Sequence, residues 1–436
     1  MATQSPQWLA AARLLRRTGF GTTGPAVDAA LGAPDYLTAA LEADPADDPG
    51  ARATPMPTFV TPVAPGKGAG TDARKTYNRA LTEQMHDLSG WWLSRMVAVE
   101  QPVHEKLTLL WHNHFATSAE KVRQAALMGE QNEKLRAGAL GDFRSLAYAM
   151  LTDPAMLRWL DGQQNTKKAA NENLSREFME LFALGHGNGY TETDVREGAR
   201  ALTGWVIAKN GQTSVIPKRH DAGTKTVLGV TGDLDAASFC DAVLSRPESR
   251  SYVAGRLWQQ LASDNPPSAD TLSRLVDAYG DGHDLKALTL AVLTDPEFAS
   301  QPWSLVNAPV EWTVGLVRAV KVPIEAAPNA MLVERTMQTL GQRPFYPPDV
   351  GGWPRGQAWL STAGAGVRLR AATALARKGD VSVVSEAAPS DRIDAAGYLL
   401  GIGSWTDHSA AALRPLINRP PELVAAAANT PENLTS

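Results

Sequence analysis

Between Asn171 and Trp205 the sequence NENLSREFMELFALGHGNGYTETDVREGARALTGW runs from one helix through a three-glycine loop into a second, capped helix without a gap. On a 100° wheel Leu174, Phe178, Leu181 and Phe182 share one face, and Asn173, Glu177 and Glu180 line its border. Glu177 is therefore expected to sit half in the core. There its carboxylate must find a donor or cation, or its pKa rises and it becomes a candidate general acid or base. Arg176 lies four residues from both Glu172 and Glu180. The competing expectation is a structural ion-pair and amide network that ties helices together. Gly185, Gly187 and Gly189 break the helix and free the backbone N–H groups around His186 and Asn188. Thr191 and Asp194 form a capping box, so the next helix begins near Glu192 and buries Val195, Ala199 and Leu202. A glycine loop entering a helix can hold an anion. No Walker lysine, no G-x-G-x-x-G after a strand and too few carboxylates for a calcium loop accompany it.

The helical period recurs along the chain and predicts a mainly α, multi-helix globular array. N-terminal helices are expected over 1–43, a Pro/Gly-rich surface insertion over 44–75, and a main helical domain over 76–378. Residues 379–436 read as a connector, C-terminal helices and a tail that frays from about Ala427. Within the main domain, Thr203–Gly229 has the β-branched residues and turn signals of a short hairpin or long loop. The segment Asp142–Pro154 matches Asp284–Pro296 at seven of thirteen positions. Both start with an Asp suited to capping and end where Pro stops a helix, so duplication and shared helix punctuation both explain the likeness.

Three further segments are candidate sites. His112 and His114 end a helix opened by Pro102; if that helix persists they cannot share one metal, whereas an extended turn would set them as a His-x-His pair for a divalent metal. His114 alone continues the apolar stripe and reads as a core histidine, or, near Glu177, as half of a proton-transfer pair. Arg219-His220-Asp221 lies in a polar loop, where His220 and Asp221 are either catalytic or a charged turn. Trp353 and Trp359, in PPDVGGWPRGQAWL, either stack on a sugar or other flat ligand or plug a hydrophobic gap.

The 35-residue stretch, with LTLLWHNHF at 107–115, RHDAGTK at 219–225 and PPDVGGWPRGQAWL at 347–360, resembles the bacterial "domain of unknown function 1800" family from about Leu14 to Leu423. The resemblance implies a mainly helical protein with no settled activity. Many members carry export signals and are encoded beside a family resembling the alkaline phosphatase and sulfatase superfamily, which implies a phosphatase- or sulfatase-like protein partner. Here residues 1–20 show neither a Sec nor a twin-arginine pattern, so a cytoplasmic location is expected. The single Cys240, in an apolar helical context, fits a reducing compartment. A net charge of −4 without a basic cluster argues against nucleic acid, and no apolar run is long enough for a membrane span. Two functional readings follow. One is an enzyme whose cleft gathers His114, Glu177, Glu180, His220 and Asp221, metal-assisted or not, for hydrolytic or oxidative work on a polar or carbohydrate ligand. The other is a non-catalytic binding or assembly protein.

Overall fold

The helix Val103–His114 lies at the centre of the computed structural model, which describes residues 3–300 and 305–435. All twelve of its residues are buried, so it has no solvent face to carry its polar side chains. Leu107, Leu110 and Trp111 pack into one core, with helices Phe143–Leu151, Ala236–Leu244, Pro247–Leu261, Ala269–Tyr279 and Leu285–Thr294. Leu109, on the opposite side, packs into a second core, built from the end of Thr71–Ala98 and from Pro309–Ala319, Ala327–Thr339, Thr362–Lys378 and Pro420–Ala427. Polar groups on such a helix must be satisfied internally. Glu105 is the clearest case: its two oxygens accept from Arg95 Nε and Arg136 Nε, both at 2.6 Å, and from Arg136 Nη2 and Trp92 Nε1, both at 2.8 Å. On the next residue round the helix, Lys106 is paired with Glu311.

The architecture is mainly α, and among the described residues the strands form two antiparallel ribbons. Trp205–Ile207 pairs with Thr213–Val215, Trp205 opposite Val215, and Lys225–Val227 pairs with Val230–Gly232. The first ribbon and the strand Lys225–Val227 fall inside the expected hairpin segment, and Val230–Gly232 lies just beyond it. Among the described residues no helix is long and apolar enough to cross a membrane. Cys240 is fully buried on its helix, and burial, then the nearby Asp241, push its thiol up to about 12.

The structure departs from the sequence reading at both ends. The Pro/Gly-rich segment carries a short helix, Pro49–Ala53, and then runs as a strap along Thr71–Ala98, with Trp91 Nε1 donating to Thr54 O at 2.9 Å and Gln84 Nε2 to Val60 O at 2.9 Å. That helix starts at Thr71, inside the expected insertion, because its first turns are polar and exposed and carry no apolar period. The tail is docked rather than frayed. Pro431–Leu434 buries Glu432, which accepts from Thr406 N at 2.9 Å and Ser409 Oγ at 2.8 Å, and its backbone oxygen accepts from Arg16 Nη1 at 2.8 Å. Long-range polar contacts of this kind leave no periodic signal.

The two matching segments meet head to head. Phe143 N donates to His283 O and Leu285 N to Gly141 O, each at 2.9 Å, so Asp142 and Asp284 face each other across a reciprocal bridge. Each Asp caps its own helix, by accepting from Ser145 N at 2.7 Å and Ala287 N at 2.9 Å. The two Asp caps thus share a structural role as well as a sequence pattern.

Candidate functional site

Asn173–Glu177 is α-helical, but Phe178–Ala183 widens into a π-helix, a form enriched at functional sites. Leu184 N and Gly185 N both donate to Met179 O, at 2.9 and 3.2 Å, and the chain then leaves the helix at Gly185, whose φ is +89°. The carbonyls stranded at this exit are taken from outside. Tyr252 Oη donates to Leu181 O at 2.6 Å, His114 Nε2 to Phe182 O at 2.8 Å, and Asn188 Nδ2 to Leu184 O at 2.8 Å. Gly185 is required here, since a Cβ would lie 2.6 Å from the Tyr252 ring. The 3.6-residue wheel had no means of registering the extra residue in this turn.

His112, Asn113 and His114 each tie the central helix to another segment. His112 Nε2 accepts from Phe345 N at 3.2 Å, Asn113 Oδ1 accepts from Trp353 N at 2.7 Å, and His114 donates to the π turn. The helix persists through His114, so the two histidines face different surroundings: His112 lies among Trp92, Phe345 and Trp353, and His114 among Trp111, Phe115 and Phe182. They do not form a His-x-His pair. Among the described residues no group of three or more His, Cys, Asp or Glu is arranged to hold a metal ion.

Burial holds both rings far below the ordinary 6.5, to about 3; for His114 the charge of Arg256 adds to this and the Phe182 bond opposes it. The sign follows directly. The unfolded chain takes up these protons near pH 6.5 while the fold refuses them, so stability is full above that value and falls as pH drops toward about 3. The imidazole resonances of His112 and His114 are expected not to titrate between pH 8 and about 4 by NMR; a midpoint near 6 for either would show that its ring is solvated.

The Arg219-His220-Asp221 segment serves the end of the neighbouring helix Glu192–Ala201. His220 Nδ1 lies 3.0 Å from Thr203 O, Asp221 N donates to Thr203 Oγ1 at 2.8 Å, and Asp221 accepts from Arg200 Nε at 2.8 Å. The bond from Arg200 is the main reason the Asp221 carboxyl is held down at about 2. Arg176 binds the other end of that helix, donating to Glu192 at 2.8 Å and also to Glu172 at 2.9 Å. Residues 192 and 200 are about 12 Å apart along a helix axis, so His220 and Asp221 do not gather with the Arg176–Glu177 region.

Trp353 and Trp359 are both buried in the second core, with Trp353 packed on the His112 ring at 5.5 Å. Trp359, 7% exposed, borders a cavity of about 50 Å³, room for a water or two. Neither indole presents a face for stacking. The glycine loop is likewise occupied: Gly187 N–H points to Tyr190 Oη at 3.4 Å, Asn188 N–H to Gly185 O and Gly189 N–H to Gly187 O. The amides expected to cradle an anion are spent inside the loop.

What remains open is one face of the π-helix. His186, 83% exposed, is paired through Nδ1 with Glu180, where Arg176 was the expected partner. Asn173 is exposed beside them. Tyr190, which the helical wheel did not single out although it directly follows the glycines, has its phenol held protonated by burial, with the Glu180 charge adding to it. Glu177 is half-buried and meets no donor or cation among the described residues. Its carboxyl is raised by burial first and by Glu180 second, with Arg176 opposing.

A family model described as "Protein of unknown function (DUF1800)" matches residues 13–434. No curated protein and no solved structure matches the chain. Three of the four segments on which the resemblance rests, 107–115, 171–205 and 347–360, interlock around the central helix and the π turn, and the chain belongs to the DUF1800 family.

Proposed function

We propose that the face formed by Glu177, Glu180, His186 and Tyr190 binds a small polar, hydroxyl-bearing molecule, and that Glu177 acts on it as general acid and base. One observation carries this reading. Of the carboxylates between Asn171 and Trp205, Glu172 and Glu192 bind Arg176, Glu180 binds His186, Asp194 caps its helix and Glu197 binds Arg200, whereas Glu177 alone is unengaged. A half-buried carboxyl with a raised pKa, beside a second carboxylate held by a partner, gives two acids with different tasks. Glu177 exchanges the proton, and Glu180 accepts from a ligand hydroxyl.

Hydrolysis of a panel of p-nitrophenyl glycosides and esters tests the proposal. Glu177→Gln is expected to lower any turnover by about 100-fold or more, with the melting temperature unchanged because no internal bond is lost. Retained turnover in this variant would remove Glu177 from the chemistry. A second reading, a non-catalytic binding or assembly protein for a phosphatase- or sulfatase-like partner, is favoured by a separate observation: His112, Asn113, His114, Arg176, His220 and Asp221 all spend their polar groups within the protein. Saturable binding of panel compounds without turnover would move the account to that reading.

A further inference from the structure

At its other end the central helix borders a pocket of about 320 Å³, formed with the loop from Ala43 to Pro49 and with residues Val99–Gln101. His104 and His114 are ten residues apart on one helix, about 15 Å, so this pocket is separate from the Glu177 face. Its walls include Pro45, Pro49 and Val99, and its acids are Asp44, Asp47, Asp48, Glu100 and Glu105. Two of these are neutralised internally, Asp47 by Arg52 and Glu105 by Arg95 and Arg136. Asp44, Asp48 and Glu100 make no ion pair among the described residues. Asp44 accepts only the Ala46 N–H at 2.9 Å, and Asp48 accepts from Ala51 N at 3.0 Å and Gln101 N at 2.8 Å, which leaves lone pairs on both.

His104 lines the same pocket. It is 7% exposed, and its ring has no hydrogen-bond partner among the described residues. Burial, opposed by Glu105 and Asp44, keeps the ring neutral below the ordinary 6.5, so one nitrogen is a bare acceptor. That acceptor borders the pocket and is open to a donor placed there. A group that suits this lining donates hydrogens, carries positive charge to match three carboxylates without an ion pair, and brings a short apolar stem to lie against the prolines and Val99. No Phe, Tyr or Trp lines the pocket, which disfavours a quaternary ammonium, and among the described residues its acids are not arranged to hold a metal ion.

We infer that this pocket binds a primary alkylammonium group, donating to the His104 ring nitrogen and to the carboxylates of Asp44, Asp48 and Glu100. Calorimetric titration of the full chain with 1,4-diaminobutane is expected to give one saturable site. The surface variant Asp44→Asn/Glu100→Gln, which removes charge without touching the core, is expected to weaken binding at least tenfold. His104→Phe, which fills the space but offers no acceptor, is expected to weaken it as well. Calcium chloride and tetramethylammonium at equal concentration are expected not to displace the diamine. Undiminished binding by the surface variant would overturn the assignment, since the diamine would then sit elsewhere, and so would displacement by calcium, since general electrostatic attraction would then account for the binding. Absence of saturable binding to the unaltered protein would overturn it too.

Discussion

Glu105→Ala is expected to destabilise the protein by about 3–5 kcal/mol in urea or thermal unfolding, the usual loss when one member of a buried ion network is removed. Glu105 is 1% exposed and is the shared acceptor for Arg95, Arg136 and Trp92. Removing it leaves guanidinium groups on two helices facing each other across a dry gap, with Asn132 Oδ1 and Glu133 as the remaining acceptors for Arg136. Glu105→Gln keeps the volume but offers a single carbonyl oxygen, so its loss should approach that of Ala. Burial alone would raise the Glu105 pKa, but Arg136 and then Arg95 outweigh it and hold it below the ordinary carboxylate range. A depressed acid stabilises the fold above its unfolded pKa, and that contribution disappears as pH falls through the folded value. The difference between wild type and Glu105→Ala should therefore be full at pH 7 and shrink in strong acid. A loss under about 1 kcal/mol at pH 7, the range of an exposed ion pair, would mean that the network is solvated.

Gly352→Ala is the second large effect, expected at about 3 kcal/mol or more. Two costs combine at this position. The φ of +87° lies where a side chain costs about 1–2 kcal/mol, and the new Cβ would stand 2.3 Å from Asn113 Oδ1 and 2.5 Å from Asn113 O, an overpacking that adds about 1–3 kcal/mol. Asn113 cannot swing aside without releasing the Trp353 N–H that it accepts at 2.7 Å. Asn113→Ala alone should cost about 1–3 kcal/mol through that orphaned N–H. Because it also removes the nearer clashing atom, the double variant is expected to lose less than the sum of the single losses. Strict additivity in chemical denaturation would show that the two segments are not locked together.

Much of the fold was legible because period and punctuation are local. The Thr191–Asp194 capping box starts its helix at Glu192, as its residues predict, and a ribbon forms inside the expected hairpin segment. The site was less legible because the partners of its polar groups lie far along the chain. Nothing near His114 announces that its proton goes to Phe182, nor near Asn113 that it receives the Trp353 amide. The π turn hid for a related reason: Tyr252 and His114 stabilise it from other helices, and no local pattern encodes it. Glu177 was legible, since a carboxylate on the border of an apolar stripe is a local fact, and its half-buried position agrees with the wheel.

The tuning of Glu177 by its surroundings is measured directly by a ¹³C NMR titration of its side-chain carboxyl in the unaltered protein and in Glu180→Gln. The expected result is a midpoint above the ordinary 4.5 in the unaltered protein and a lower one in the variant, because a neighbouring negative charge has been removed. A midpoint at or below 4.5, unmoved by the Glu180 substitution, would contradict the account and leave Glu177 an ordinary surface carboxylate.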